Sequence, residues 1–178
     1  SGFAADVALT KITRHETNEA LRAYARGDID GDGHADIAAL GATTYLFTQS
    51  PMGGVYVQTD AVATIVGTSV NPMFNVADLG DQTGDGTAET AFSSFDAGSG
   101  DGGEIAVLPG DMLDLALAIT FDSLPIRAVN VLGSGAFGYA LTALGDVDGT
   151  DTPGLLIGGG AHDATGIDAG AVAILRLP

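Results

Sequence analysis

A ten-residue pattern of aspartate and glycine occurs three times along the chain, and it constrains the fold more than any other feature of the sequence. The copies begin at Gly27-Asp28, Gly80-Asp81 and Gly145-Asp146, so their first aspartates are 53 and 65 residues apart. A repeat near 60 residues is too long for the common helical solenoids, but it accommodates a unit of about four short strands. The spacing therefore predicts consecutive, similar β-rich units.

Each copy of the pattern is flanked by short segments that are typical of β-strands. They are rich in β-branched, aromatic or small apolar residues, and Gly, Asp or Pro bounds them. The predicted strands are 21–25, 37–40, 54–57 and 61–66 in the first repeat, 73–77, 90–95, 104–108 and 115–121 in the second, and 137–143, 155–158 and 171–175 in the third. Residues 111–120 are also compatible with one or two helical turns.

These strands predict an all-β fold of three four-stranded, β-propeller-type blades within a single domain, residues 1–178. Blade 1 is expected at residues 21–67, blade 2 at 68–122 and an incomplete blade 3 at 123–178. Residues 1–20 then hold a donor strand and its lead-in.

The two ends of the chain differ from the repeats in a complementary way. The third repeat stops after its third strand, whereas residues 6–12 form an alternating, strand-like segment ahead of the first repeat. An unpaired edge strand exposes a row of backbone N–H and C=O groups. We therefore expect residues 6–12 to pair with residues 171–176 across a boundary between protomers, so that the protein associates with itself.

The first copy of the pattern has the composition of a metal-binding loop. Asp28, Asp30, Asp32 and Asp36 occupy positions 1, 3, 5 and 9, and the carbonyl of His34 is available at position 7. Acids this close repel one another unless a cation lies between them. A plain turn with solvated acids is the alternative interpretation.

The other two copies keep part of this ligand set. The second offers Asp81, Thr83, Asp85, the Thr87 carbonyl and Glu89, which is one carboxylate fewer. The third offers Asp146, Asp148, Thr150 and the Thr152 carbonyl, but position 9 is Gly154. The third copy is equally compatible with a degraded site, which Asp151 would help to complete, and with a plain turn.

Calcium is the cation that these ligands favour. A flexible, all-oxygen set suits Ca²⁺ better than Mg²⁺, which requires a stricter octahedron. Zn²⁺ prefers nitrogen or sulfur ligands, and the loop has a single histidine. An EF-hand would have Glu at position 12, where this chain has Ala39.

The loops and their surroundings resemble the FG-GAP repeats of integrin α-subunit propellers. The third repeat carries the pattern best, with Phe137-Gly138, Gly145-Asp146-Val147-Asp148-Gly149, Gly159-Gly160-Ala161 where Gly-Ala-Pro is usual, and an apolar strand at 171–175. The resemblance spans about residues 20–178 and implies a calcium-stabilised propeller of extracellular or cell-surface type. Such propellers commonly have seven blades, whereas this chain encodes three.

The composition of the chain argues against several classes of function. The chain has 23 acidic and 6 basic residues and a formal net charge of −17, which argues against a nucleic-acid partner. No apolar run approaches the roughly 20 residues of a membrane helix. No histidine, serine or acid forms a recognisable catalytic arrangement, so no catalytic or organic-cofactor residues are predicted.

Three classes of function follow from these observations. The first is a structural or adhesive extracellular protein that binds calcium and assembles by strand donation into a filament. The second is a closed six-bladed dimer, or a fragment of a longer propeller, that binds a protein or glycan. An enzyme is the third, and the commitment of the loop acids to coordination argues against it.

Overall fold

A computed structural model of the protein describes residues 10–13, 22–25, 27–48, 54–67, 75–94, 102–115, 118–129, 136–147, 149–150, 153–160 and 169–176. Within these ranges the fold is all-β, as predicted. The strands are β1 Thr10–Thr13, β2 Arg22–Ala25, β3 Ile37–Leu40, β4 Thr43–Phe47, β5 Gly54–Val57, β6 Ala63–Val66, β7 Asn75–Gly80, β8 Glu89–Ser94, β9 Glu104–Leu108, β10 Ala118–Thr120, β11 Ile126–Val129, β12 Phe137–Leu144, β13 Gly154–Gly159 and β14 Ala171–Arg176.

Short 3₁₀ helices lie at Gln58–Asp60, Gly110–Leu115 and Phe121–Ser123. In the described part of the chain, no helix has the length and apolar character needed to cross a bilayer.

The strands form three larger sheets and one small pair. The first sheet contains the antiparallel strands β2, β3, β4 and β6, and β10 extends it by pairing in parallel with β6. The second sheet is the antiparallel meander β7-β8-β9-β11, and the third is β12-β13-β14. The small pair consists of β1 and β5. Each larger sheet thus has one copy of the Asp/Gly loop between its first two strands.

The prediction for the third strand of the first repeat was wrong. Residues 54–57 do form a strand, but the third strand of the first sheet is β4, which follows β3 after a two-residue turn. A short hairpin closes with little loss of chain entropy, and the Thr-Thr-Tyr-Leu-Phe sequence of β4 suits a pleated, half-buried surface. The segment 54–57 pairs with β1 instead.

The prediction for the fourth strand of the second repeat also needs correction. Residues 126–129 close the second sheet by pairing with β9, although the sequence had assigned them to the third repeat. Among the described residues of the predicted strand 115–121, which leave out 116–117, Ala118–Thr120 is extended, and it pairs with β6 of the first sheet. The helical alternative is confirmed at its start, where the Gly110–Leu115 segment forms a 3₁₀ helix.

Part of the predicted donor strand is paired within the chain, whereas its expected pairing with residues 171–176 of a second protomer stays a prediction. Thr10–Thr13 runs parallel to Gly54–Val57 of the same chain, in register from Thr10 opposite Gly54 to Thr13 opposite Val57. Residues 6–9 of the predicted donor strand lie outside the described residues. Within this chain the segment 10–12 therefore has β5 as its partner.

Two apolar cores hold the three sheets face to face. The first core joins the first and second sheets and contains Ala38, Leu40, Leu46, Ala63, Ile65, Val76, Phe92, Ala106, Leu108, Ile119, Phe121 and Leu124. The second core joins the second and third sheets and contains Ala77, Leu79, Ala91, Ile105, Val107, Leu155 and Ile157. Successive residues of β8 and β9 alternate between the two cores, so these strands are buried on both faces.

Polar contacts fix the third sheet against the second. The Ser93 hydroxyl donates a hydrogen bond to the Gly138 carbonyl at 2.7 Å, and this bond is buried. The Asn75 side-chain amide donates to the Tyr139 carbonyl at 2.7 Å. Together with the apolar core, these bonds define how the third repeat sits on the second.

Candidate metal centre

The first Asp/Gly loop, residues 28–36 (loop 1), connects β2 to β3. The Asp36 N–H donates to the Gly27 carbonyl at 3.2 Å and so closes the base of the loop. One carboxylate oxygen each from Asp28, Asp30 and Asp36 lies within 4.8 Å of the others, a spacing at which a single cation can contact all three. Among the described residues, this is the one group of three such acids.

Asp36 is the buried member of the group. Its side chain is 1% exposed, and its Oδ2 atom accepts a hydrogen bond from the Ile29 N–H at 2.6 Å. Its Oδ1 atom is buried with no hydrogen-bond partner in the described structure, and the same is true of the Asp28 Oδ1 atom. Buried polar atoms in folded proteins are almost always partnered, so two orphaned acid oxygens in one loop indicate a missing electropositive ligand. The residues present therefore fit a metal ion.

The electrostatics of loop 1 support the same conclusion. Burial raises the pKa of Asp36 from its ordinary value of 3.8 to about 6, because the ionised carboxylate loses contact with water. The Ile29 N–H lowers this pKa, and the negative charges of Asp30, Asp32 and Asp28 raise it further. A cation between these acids would remove the repulsion and favour the ionised form.

The remaining predicted ligands of loop 1 lie outside the three-acid group. Asp32 accepts a hydrogen bond from the His34 N–H at 2.8 Å, which uses its Oδ1 atom to shape the turn. The Oδ2 atom of Asp28 accepts from the Gly33 N–H at 2.7 Å. Gly31 and Gly33 both have positive φ, at 77° and 86°, which lets the loop fold back over its acids. The roles of Asp32 and the His34 carbonyl in coordination stay predictions.

The second loop, residues 81–89 (loop 2), connects β7 to β8 and repeats this hydrogen-bond scheme. Glu89 is 5% exposed, and its Oε2 atom accepts a hydrogen bond from the Gln82 N–H at 2.6 Å. Its Oε1 atom is buried and has no hydrogen-bond partner in the described structure. Asp81 accepts from the Gly86 N–H at 2.9 Å, as Asp28 does from Gly33. Loop 2 thus has the same backbone frame around its position-9 acid.

Loop 2 differs from loop 1 in how its central acid is held. The Asp85 carboxylate accepts from both the N–H and the hydroxyl of Thr87, at 2.8 and 2.5 Å. These bonds, with a smaller contribution from the Thr83 hydroxyl, lower the pKa of Asp85. The acids of loop 2 do not form a group as close as that of loop 1 within the described residues. Binding at loop 2 by Asp81, Thr83, Asp85, Thr87 and Glu89 therefore stays a prediction.

The third loop, residues 146–154 (loop 3), keeps only the start of the scheme. Asp146 accepts from the Gly149 N–H at 2.7 Å and from the Thr150 N–H at 3.1 Å, as Asp81 does from the corresponding amides of loop 2. Position 9 is Gly154, the first residue of β13, so no acid stands there. Asp148, Asp151 and Thr152 lie outside the described residues.

The pattern of residue types in the sequence missed the backbone groups that orient the acids. The Ile29 and Gln82 amides, each at position 2 of its loop, donate to the acid at position 9. In both loops the donor and the acid are seven residues apart, and this shared spacing is the one sequence feature that could have suggested these bonds. The pattern also missed a hydrogen bond between loops, from the Ala88 N–H to the Asp28 carbonyl at 2.9 Å. No sequence signal points to that contact, because it depends on how the sheets stack.

The chain matches no protein-family model and no curated protein sequence. The resemblance to FG-GAP repeats therefore rests on the residues quoted above.

Proposed function

We propose that this chain is a calcium-stabilised structural or adhesive protein of the extracellular space or cell surface, built from propeller-type blades that resemble FG-GAP repeats. The observation that carries the proposal is that Asp36, which has a buried and unpartnered Oδ1 atom, places one of its carboxylate oxygens within 4.8 Å of oxygens of Asp28 and Asp30. A divalent cation at this point would supply the missing partner and offset the mutual repulsion of the acids.

Calcium is the proposed ion because loop 1 offers only oxygen donors and a flexible, glycine-containing backbone. Mg²⁺ holds its ligands in a near-ideal octahedron and gives up water reluctantly, which suits this loop less well. Extracellular calcium modules bind with dissociation constants of about 10⁻⁴–10⁻³ M, so the exterior of a cell supplies enough free ion. We therefore propose an extracellular or cell-surface location, where free calcium is high enough to fill sites of this affinity.

The proposed role of the ion is structural. Each bound Ca²⁺ would cancel charge in a chain whose formal net charge is −17, and it would fix the turn between the first two strands of a sheet. The loop acids already accept backbone hydrogen bonds from Ile29, Gly33 and His34, so they are committed to holding the loop rather than to acid–base chemistry.

The blade interpretation is supported by the repetition of one arrangement. In all three sheets, the Asp/Gly loop joins the first two antiparallel strands, and consecutive sheets stack through apolar faces. Stacked four-stranded antiparallel sheets are the building units of propellers. The second sheet has this form, the first has it with β10 added, and the third has three strands among the described residues. Three blades are fewer than the four to eight of closed propellers, so we propose that further units come from a second copy of the chain.

The outer face of the third sheet is the proposed contact between copies. Leu155 and Ile157 of β13 are buried against the second sheet, whereas Val172 and Ile174 of β14 are 71% and 56% exposed. A groove of about 470 Å³ runs beside Tyr139 on the same sheet. This face continues the stack in which each sheet covers the apolar face of its neighbour. A sheet from a second copy is the occupant that this continuity favours.

The calcium part of the proposal is tested by titrating the chelated protein with Ca²⁺ while heat release and melting temperature are followed. Saturable binding with a rise in melting temperature supports it. Absence of binding at 10 mM Ca²⁺, a concentration about tenfold above the weakest expected dissociation constant, overturns it.

The association part is tested by sedimentation velocity and electron microscopy, with calcium and with chelator. Val172→Glu places a charge on the proposed contact, and Val55→Glu is the matched control, since Val55 is 66% exposed on a strand of another sheet. We expect the wild type and Val55→Glu to form oligomers that Val172→Glu does not form. A wild-type protein that stays monomeric at high concentration would contradict self-association.

A further inference from the structure

Loop 1 and loop 2 are in direct contact, although they belong to different sheets. The Ala88 N–H donates a hydrogen bond to the Asp28 carbonyl at 2.9 Å. Asp28 is the first acid of loop 1, and Ala88 lies between Thr87 and Glu89 at positions 7 and 9 of loop 2. The bond therefore joins a metal-binding residue of one loop to the segment that carries two predicted ligands of the other.

A second contact lies at the turn of loop 1. A Cβ atom on Gly31 would be 2.9 Å from the Gly86 carbonyl oxygen and 3.8 Å from the Thr87 Cγ2 atom. A Cβ atom on Gly33, by contrast, would meet nothing within 4 Å. Gly31 thus packs its bare Cα against loop 2, whereas Gly33 faces open space.

Each loop also has a buried acid oxygen without a hydrogen-bond partner, on a residue at or next to the contact between the loops. The Asp28 side chain carries a buried, unpartnered Oδ1 atom, and its backbone carbonyl accepts the bond from loop 2. The Glu89 side chain carries a buried, unpartnered Oε1 atom, and it directly follows the donor Ala88. Ordering either loop around an ion therefore fixes one end of the same hydrogen bond.

We infer that loop 1 and loop 2 bind divalent cations cooperatively, each raising the affinity of the other. This inference rests on the proposed function, since it presumes that both loops bind. An ion in loop 1 fixes the Asp28 carbonyl, and with it Ala88, so that loop 2 loses less conformational freedom when its own ion arrives. Thermodynamic linkage makes the effect reciprocal.

Electrostatics acts in the opposite direction, because one cation lowers the negative potential that attracts the next. These loops are largely exposed, so water weakens the repulsion between two bound cations and dissolved salt weakens it further. The contact between loops is short-ranged and is not screened in this way. We therefore expect positive coupling at physiological salt, about tenfold in affinity, within the range usual for coupled sites.

The test compares calcium affinities of the loops alone and together, by calorimetric titration of the full chain. An Asp146→Asn background removes any contribution from loop 3. Adding Glu89→Gln isolates loop 1, and adding Asp30→Asn isolates loop 2. We expect the product of the two binding constants in the background protein to exceed the product of the isolated constants by about tenfold.

Gly31→Ala and Gly33→Ala then distinguish coupling from damage to the loop. Both substitutions place a Cβ at positive φ in loop 1, but only Gly31→Ala meets loop 2. We expect both to weaken loop 1, and only Gly31→Ala to abolish the tenfold excess. Circular dichroism checks that each variant folds.

Two outcomes would overturn the inference, and they are distinguishable. If both isolated loops bind and the products of the constants agree, the loops are independent, and the proposed calcium function stands without coupling. If the background protein binds no calcium, both the inference and the proposed function fail. If Gly31→Ala does not fold, the comparison of the two products of binding constants still tests the coupling. The variants used for that comparison change neither Asp28 and Ala88 nor Gly31 and Gly86.

Discussion

The Asp36 Oδ2 atom accepts a hydrogen bond from the Ile29 N–H at 2.6 Å, across seven residues of sequence. This bond leaves the other oxygen of Asp36 buried and without a partner, which is the central feature of loop 1. Glu89 and the Gln82 N–H make the same arrangement in loop 2, at the same distance. Both loops therefore hold a buried acid in position before an ion binds.

The first prediction concerns pH and the stability of the chelated protein. Because the pKa of Asp36 is about 6 in the folded chain and 3.8 ordinarily, the folded state holds this proton more tightly than the unfolded state. The resulting stabilisation is complete below about pH 4 and is lost as the pH rises through 6. At 1.36 kcal/mol per pKa unit, the loss is on the order of 3 kcal/mol at most.

Asp36→Asn should remove this pH dependence. In chelator, we expect the variant to be more stable than the wild type at pH 7 and nearly equal at pH 4, as measured by urea unfolding. In calcium this advantage of the variant should shrink, since only the wild type can use an ion in loop 1. Asp32→Asn is the control, because Asp32 is an exposed acid of the same loop whose charge raises the pKa of Asp36 less than burial does, so its difference from wild type should follow this pH course only weakly.

The second prediction concerns removal of the ion. For dissociation constants of about 10⁻⁴–10⁻³ M, 10 mM Ca²⁺ stabilises the fold by roughly 1.4 to 2.7 kcal/mol per site. Chelation should therefore lower the melting temperature by several degrees, which scanning calorimetry measures. Asp30→Ala should abolish more of this effect than Asp148→Ala, because Asp30 belongs to the three-acid group. Equal losses would contradict the ranking of loop 1 above loop 3.

The third prediction is a gain of function in loop 3. Gly154 stands where loops 1 and 2 have their buried acid, and a Cβ there would lie no closer than 3.5 Å to its nearest neighbours, the Ile174 Cγ2 atom and the Leu175 carbonyl. Gly154→Asp should therefore fit and raise the calcium stoichiometry by one, as counted by equilibrium dialysis. Gly154→Asn, which adds the same bulk without the charge, should leave the stoichiometry unchanged. An unchanged count in Gly154→Asp would show that loop 3 lacks more than its last acid.

The fourth prediction tests the stacking of the third sheet. Ile157 is fully buried in the second core, whereas its neighbour Leu156 is half-buried on the opposite face of β13. Ile157→Ala should cost about 2–5 kcal/mol of unfolding free energy, as is usual for large-to-small core changes. Leu156→Ala should cost clearly less when both are measured by denaturant unfolding at a concentration where the protein is monomeric. Similar costs would mean that both faces of the sheet are equally packed.

Much of the candidate site could be predicted because its acids are local in sequence. Asp28, Asp30 and Asp36 lie within nine residues, and a loop with glycines between its acids has few ways to fold. The amides of Ile29 and Gln82 that orient the acids are equally local. They could not be predicted, because almost every residue type has a backbone N–H and the residue identity therefore does not mark the donor. The bond from Ala88 to Asp28 joins residues 60 positions apart and follows only from the stacking of two sheets.

The sequence by itself determined the all-β class, the three repeats and the hairpin position of each Asp/Gly loop, because alternation, turn residues and loop acids are properties of short segments. The tertiary structure decided which strands pair at the ends of the sheets: β4 rather than β5 in the first, and β11 rather than β10 in the second. It also placed β1 beside β5. Edge pairing depends on which backbone edges remain open after the apolar faces have packed, and that competition involves the whole chain rather than any one segment.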